Sequence, residues 1–260
     1  MQILNKKMAD TEDASAEAEA DIVTIAADGN LILEVIDEQR GQTFTYRVSI
    51  DHIQQGSAYF QKLLDPKKFG EGATVDVMLK SLQLEHQLVA HAPVDKLPRV
   101  KIADIGKTSK VSSIKFLFRD FLKVLHGHDI LSGPSSPGSA PMPITNVANL
   151  AVVADRFDAL PHVAAYVRRK RILDTIDSRS KAKALKSSEE RLRQRLLIGI
   201  LLDHSTWVMS SSQALIISGS VRWRSDAALD NELPLWWDLP RGIEGVQLVL
   251  SLRESALPAK

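Results

Sequence analysis

The sequence contains no cysteine. Disulfide cross-links, thiolate metal sites and a cysteine nucleophile are excluded, and the composition is compatible with a reducing, intracellular setting. Long apolar runs are also missing. The longest, residues 196–202, stops after seven at Asp203, against the roughly twenty that a membrane-spanning helix needs. No secretory leader is expected either, because Asp10, Glu12, Asp13, Glu17 and Glu19 occupy the place of an apolar core. Net charge is only +1, so the chain as a whole is neither a polycation for nucleic acid nor an acidic tail protein.

Motifs that carry catalysis are equally scarce. Neither a phosphate-cradling glycine loop, nor the dinucleotide-binding glycine pattern, nor a G-x-S-x-G nucleophile elbow occurs. His126-Gly127-His128-Asp129 is the one ligand-like cluster. It lacks the further ligands of a closed metal site, and Gly127 reads as the stop of a helix. The remaining histidines are scattered, with no acidic partner at a telling spacing. No enzyme, metal or cofactor is expected.

What is present suits an ordinary globular protein of one or two domains, 44% apolar and 25% charged. The organising stretch is residues 43–64, TFTYRVSIDHIQQGSAYFQKLL. Phe44, Tyr46 and Val48 alternate with Thr43, Thr45 and Arg47, the period of a half-buried strand. Ser49 stands where a helix N-cap belongs, and Ile53, Tyr59, Phe60, Leu63 and Leu64 supply an apolar helical face. Before it, residues 21–26 and 31–36 read as strands around an Asp28-Gly29-Asn30 turn. The second is apolar on both faces, as an interior strand requires.

After Leu64 the spacing predicts a loop through Phe69-Gly70-Glu71-Gly72, then an insertion of uncertain form over residues 74–97 and a short strand over 99–105. Ile114, Leu117, Phe118, Phe121, Leu122 and Leu125 form a single helical stripe. A Pro/Gly/Ser-rich loop spans residues 132–143. Helices are expected from near Asn146, after Asp158 (which can cap the next helix), over residues 192–202 and over 207–217. Residues 168–195 carry eleven Lys or Arg against four Asp or Glu, an excess of seven. Leu235-Trp236-Trp237 is aromatic density that must pack on something.

This order of elements, with Ser57-Ala58-Tyr59-Phe60, Phe69-Gly70-Glu71 and Leu150-Ala151-Val152-Val153-Ala154-Asp155-Arg156-Phe157 in sequence, resembles the BTB/POZ family. Ser49, Trp207 and Trp237-x-Leu239-Pro240 resemble its fungal branch with a helical C-terminal extension. The resemblance implies an α+β fold: an acidic N-terminus without fixed structure (1–20), a BTB/POZ domain (21–172, interrupted at 74–97 and 132–143) and a helical extension (173–260). It implies a non-enzymatic protein–protein interaction module in the nucleus or cytoplasm. A special case is a substrate adaptor that grips a cullin scaffold of a ubiquitin ligase through Phe69 and Glu71. Leu125 stands where that docking surface carries tyrosine, which removes a hydroxyl from it. Homodimers occur in the family, although the acidic N-terminal segment disfavours strand exchange here. Separately, Arg168, Arg169, Lys170 and Arg171 are expected to be a solvated helix face. The alternatives are a nuclear import signal at these four residues or a phosphate-binding patch, the latter making the chain a nuclear regulator in which the 168–195 segment touches nucleic acid.

Overall fold

The computed structural model of the chain describes residues 22–37, 40–86, 88–130, 142–182, 188–218 and 234–237. The acidic N-terminus, most of the Pro/Gly/Ser-rich loop, the polar stretch after Gly219 and the segment beyond Trp237 lie outside the described residues. The fold is α+β, with a four-stranded mixed sheet and predominantly helical remainder. Two compact units are present. One comprises the described residues up to Ile105 together with Ile114–His128; the other comprises Gly106–Ser113 and the described residues from Asp129 on. The division falls inside the span 21–172 read above as one domain.

In the first unit, β1 (Ile22–Thr24), β2 (Leu31–Asp37), β3 (Gln42–Val48) and β4 (Arg99–Ile102) assemble in the order β1-β3-β2-β4. β2 and β3 pair antiparallel from Leu31 opposite Val48 to Asp37 opposite Gln42, while β1 runs parallel to β3 and β4 parallel to β2. β2 is thus interior, and Leu31, Ile32, Leu33 and Val35 are buried, as two-sided burial of an apolar strand requires. Arg47, half-buried on β3 opposite Ile32, clamps two loops: its Nε donates to the Gly29 carbonyl at 2.9 Å and its Nη2 to the Ala90 carbonyl at 3.0 Å.

β3 leads into α1 (Ile50–Gly56) and α2 (Ala58–Leu63). Ser49 does occupy the N-cap position of α1, but its hydroxyl makes no capping bond. Asn30, carried in by the β1–β2 turn, accepts from the Ile50 amide at 3.0 Å instead, and the Ser49 amide donates to His126 Nε2 at 3.0 Å. The hydroxyl that does cap is Ser57's, which accepts from the Phe60 amide at 3.2 Å.

Residues 69–85 depart most from the sequence expectation. In place of a loop and an insertion of uncertain form stands one helix, α3 (Gly70–Glu85), followed by 3₁₀ turns at Val89–His91 and Val94–Lys96. Its glycines lie in the first turn, where few intrahelical bonds depend on them. Val75 and Leu82, seven apart, are its buried side, whereas Val77 is 66% and Leu84 91% exposed. Apolar residues on opposite faces erase the stripe that would have announced a helix. Leu82, Ala92 and Leu97 close over Ile32 with Ile22, Val89 and Val94 around them.

α4 (Ile114–Leu125) follows its apolar stripe. Phe118 lies 5.5 Å from the Tyr46 ring and 5.6 Å from the Phe121 ring, and the Tyr46 hydroxyl donates to the Lys115 carbonyl at 2.9 Å. Gly127 at φ 71° stops the helix, and the His128 amide returns to the Lys123 carbonyl at 2.8 Å, the six-to-one bond of a Schellman end.

The second unit is helical: α5 (Ile144–Arg156), α6 (Leu160–Arg169), α7 (Ile172–Ala182), α8 (Glu189–Leu201), α9 (Ser205–Ser218) and a 3₁₀ turn at Leu235–Trp237. Asp158, expected to cap α6, lies instead in the left-handed region at φ 48° behind α5, and Ala159 takes the N-cap position without a side-chain bond. The reason is again a Schellman end, closed by the Ala159 amide on the Ala154 carbonyl at 2.8 Å. Asp203 repeats the arrangement between α8 and α9 at φ 53°, with the His204 amide on the Gly199 carbonyl at 2.7 Å.

Two tryptophans pin the helices. Trp207 is fully buried; its indole N–H donates to Asp177 Oδ2 at 2.9 Å, Asp177 Oδ1 meets Arg195 at 2.6 Å, and the Arg195 guanidinium lies 4.3 Å from the Trp207 ring. Trp236 is also fully buried and donates to Glu190 at 3.3 Å. The aromatic density near the end of the described chain is thereby packed. Among the described residues, no helix is long and apolar enough to cross a membrane.

Candidate partner-binding surface

The start of α3 sits directly on the backbone that ends α2. Asp65 organises the turn: its Oδ1 accepts from the Lys67 amide at 2.9 Å, and its carbonyl accepts from the Lys68 amide at 3.0 Å and the Phe69 amide at 3.4 Å. The Lys67 N–H, helped by the Lys68 ammonium, holds this carboxyl below the usual carboxylate range. One turn on, Gly72 passes so close that a Cβ would lie 2.6 Å from the Asp65 carbonyl oxygen and 2.7 Å from the Leu64 carbonyl carbon. Only glycine fits there.

The tight packing beneath fixes what is shown to solvent above. Phe69 is the N-cap residue of α3, in extended conformation, with half its surface exposed. Glu71 is exposed in the first helical turn, beside the amide-rich helix start that favours an anion. Next to the turn lies an open groove of about 510 Å³, in which the carboxylates and amides of Asp51, Gln54, Gln55, Gln61 and Asp65 surround the apolar Leu64 and Pro66. Chemically the surface offers an apolar ring, a carboxylate and hydrogen-bonding amides on rigid backbone. It holds no activated nucleophile or paired acid and base.

Of the residues read from sequence, Phe69 and Glu71 are brought together. Leu125 is only 2% exposed, so its side chain is closed to a partner. The groove and the exposed Val77, Met78 and Leu84 of α3 went unread. Their one signal was the seven-residue spacing of Val77 and Leu84 opposite Val75 and Leu82.

His126 has a structural role. Its Nε2 accepts from the Ser49 amide, so the ring hydrogen is on Nδ1, which donates to the Leu122 carbonyl at 2.8 Å. His52 stacks on it at 5.1 Å and His128 lies at 5.9 Å. Both nitrogens are occupied, and no group of three or more His, Asp or Glu among the described residues could hold a metal ion. Burial, reinforced by the neighbouring histidines, lowers its pKa from 6.5 to about 4. The folded state therefore binds fewer protons than the unfolded chain between these values, and its stability falls as pH drops from about 6.5 to about 4. The expected loss, discounted for partial water access, is on the order of 2 kcal/mol. Urea midpoints between pH 7 and pH 4 should show this acid limb in the wild type and a shallower one in His126→Gln. Limbs of equal steepness would contradict the assignment.

The basic residues 168–171 belong to the second unit. Arg168 and Arg169 are exposed at the end of α6, and the Arg169 guanidinium lies 5.6 Å from the Tyr166 ring. Lys170 pairs with Asp129 at 2.6 Å and Arg171 with Asp174 at 3.1 Å. Asp129 also accepts from the Tyr166 hydroxyl at 2.9 Å, and burial pushes the pKa of that phenol up to about 12. Farther along the basic run, Arg193 pairs with Glu189 and Arg195 with Asp177.

Compared with protein-family models, with curated proteins and with solved structures, the chain has no significant match.

Proposed function

We propose that the chain is a non-enzymatic protein–protein interaction module of BTB/POZ type, working inside the cell, and that its first unit docks a cullin-type scaffold through Phe69 and Glu71. The ordered sequence motifs support the family. The observation that carries the docking is a half-exposed phenylalanine and an exposed carboxylate two residues apart on a turn that Gly72 locks to the backbone of Leu64 and Asp65. With its backbone already fixed, the ring gives up only side-chain freedom on entering a partner's pocket, and buried aromatic anchors dominate interface energies.

Retention of the purified chain on an immobilised cullin N-terminal domain tests the reading. The wild type should be retained, and the Phe69→Ala, Glu71→Ala double variant should bind at least about thirtyfold more weakly, the equivalent of a ~2 kcal/mol hot spot. Absence of wild-type retention removes the cullin case. The nucleic-acid alternative has less support. Lys170, Arg171, Arg193 and Arg195 already face carboxylates, and each such pair would have to open before its cation displaced counterions from a phosphate backbone.

A further inference from the structure

We propose that the second unit binds a small zwitterion, an α-amino acid with an aliphatic side chain, in the cleft between its α6–α7 and α8–α9 corners. The cleft measures about 100 Å³, below the ~300–1,000 Å³ of sites that enclose a drug-sized ligand, so it admits a short aliphatic side chain with the charged head group left at the rim. Its floor is aliphatic, with Val167, Leu173 and Leu202 all buried beneath it. Its rim holds Arg168, Arg171, Asp174, Asp203 and His204.

Three features of the rim choose the ligand. Arg171 and Asp174 are closed on each other at 3.1 Å. Arg168 and Asp203 are the remaining charges, one of each sign, and among the described residues neither side chain has a counter-ion. His204 Nδ1 accepts from the Trp207 amide at 3.2 Å, which leaves the ring hydrogen on Nε2 as a donor at the rim. A carboxylate thus has a guanidinium and an imidazole N–H to receive it, an ammonium has Asp203, and an aliphatic side chain has the floor. A phosphate dianion fits worse. Two arginines against two aspartates leave the rim without net positive charge, so it would meet Asp174 and Asp203 uncompensated. The corners hold these groups in place: Arg171 at φ 51° and Asp203 at φ 53° are left-handed residues at the two sharp turns, conformations that persist only when the surrounding fold enforces them.

The site belongs to the second unit and the Phe69 surface to the first, so either reading can fail alone. The ¹⁵N-labelled full chain, titrated with L-leucine through the millimolar range, should show saturable shifts centred on the amides of Arg168, Leu173 and His204. N-acetyl-L-leucine, which lacks the ammonium, and L-leucinamide, which lacks the carboxylate, should each bind at least about tenfold more weakly. So should L-leucine to Arg168→Gln and to Asp203→Asn, the latter chosen because asparagine tolerates the left-handed backbone. No saturable shift with L-leucine would overturn the proposal, as would equal binding of either blocked analogue or unaltered binding by both variants. Tighter binding of inorganic phosphate would replace it with a simple anion site.

Discussion

Replacing Trp207 with alanine is expected to destabilise the second unit by about 3–5 kcal/mol, the range for removing a large buried aromatic. The indole is fully buried and does three jobs. It fills volume between helices, donates to Asp177, and forms the face on which Arg195 lies. Truncation leaves a cavity and an Asp177–Arg195 pair without its cover. That pair is mostly withdrawn from solvent, and the geometry that offsets its desolvation includes the ring. Asp177→Asn keeps size and an acceptor oxygen but removes the charge facing Arg195, and should cost less, on the order of 1–3 kcal/mol. Urea unfolding followed by far-ultraviolet circular dichroism would rank the two. The packing described for Trp207 would be contradicted if the alanine variant lost less stability than Asp177→Asn. A double-mutant cycle would show the coupling, because the two residues share one network.

The second large effect separates two glycines in the same helical turn. Gly70→Ala meets nothing within 4 Å, so it should stabilise α3 by up to about 1 kcal/mol through helix propensity. Gly72→Ala puts its methyl 2.6 Å from the Asp65 carbonyl oxygen. That neighbour is backbone, held by the amides of Lys68 and Phe69, and it cannot rotate away as a side chain would. The helix start must lift, at about 1–3 kcal/mol as in other overpacked sites. Because Phe69 and Glu71 ride on that start, Gly72→Ala should also weaken any partner bound there, with both contact residues intact. Thermal unfolding of the two variants, compared with retention on the cullin domain, checks both halves. Shifts of the same sign for Gly70→Ala and Gly72→Ala would refute the account of this turn.

Much of the fold was legible where one period governs a whole element. The six-residue stripe of α4, the two-sided apolar β2 and the helix stop at Gly127 all came from local pattern. α3 escaped because its apolar residues point both into the unit and out to solvent, so no periodicity survives in the string. The candidate surface was legible only in part. Phe69 and Glu71 stood out as a pair, whereas the adjoining groove is built mainly from polar residues of three consecutive segments that carry no motif.

Caps show the same boundary. Ser49, Ser57 and Asp158 are all residue types that begin helices, and all three sit near a helix start. Only Ser57 caps through its side chain. Asn30 arrives at the amide of Ile50, His126 occupies the amide of Ser49, and Asp158 is drawn into the end of the preceding helix.

Taken alone, the string of residues settled most strands, the helices with a single apolar stripe and the absence of cysteine chemistry, since each depends on composition or on neighbours within a turn or two. Which glycine tolerates a methyl, which cations already hold a carboxylate and which hydroxyl caps a helix were decided by tertiary structure. The glycine's obstacle, Asp65, is only seven residues away, but other outcomes depend on groups twenty to seventy-seven positions apart: Asn30 with Ile50, Lys170 with Asp129 and Ser49 with His126. Contacts at such separations depend on how the whole chain closes, which no local spacing encodes.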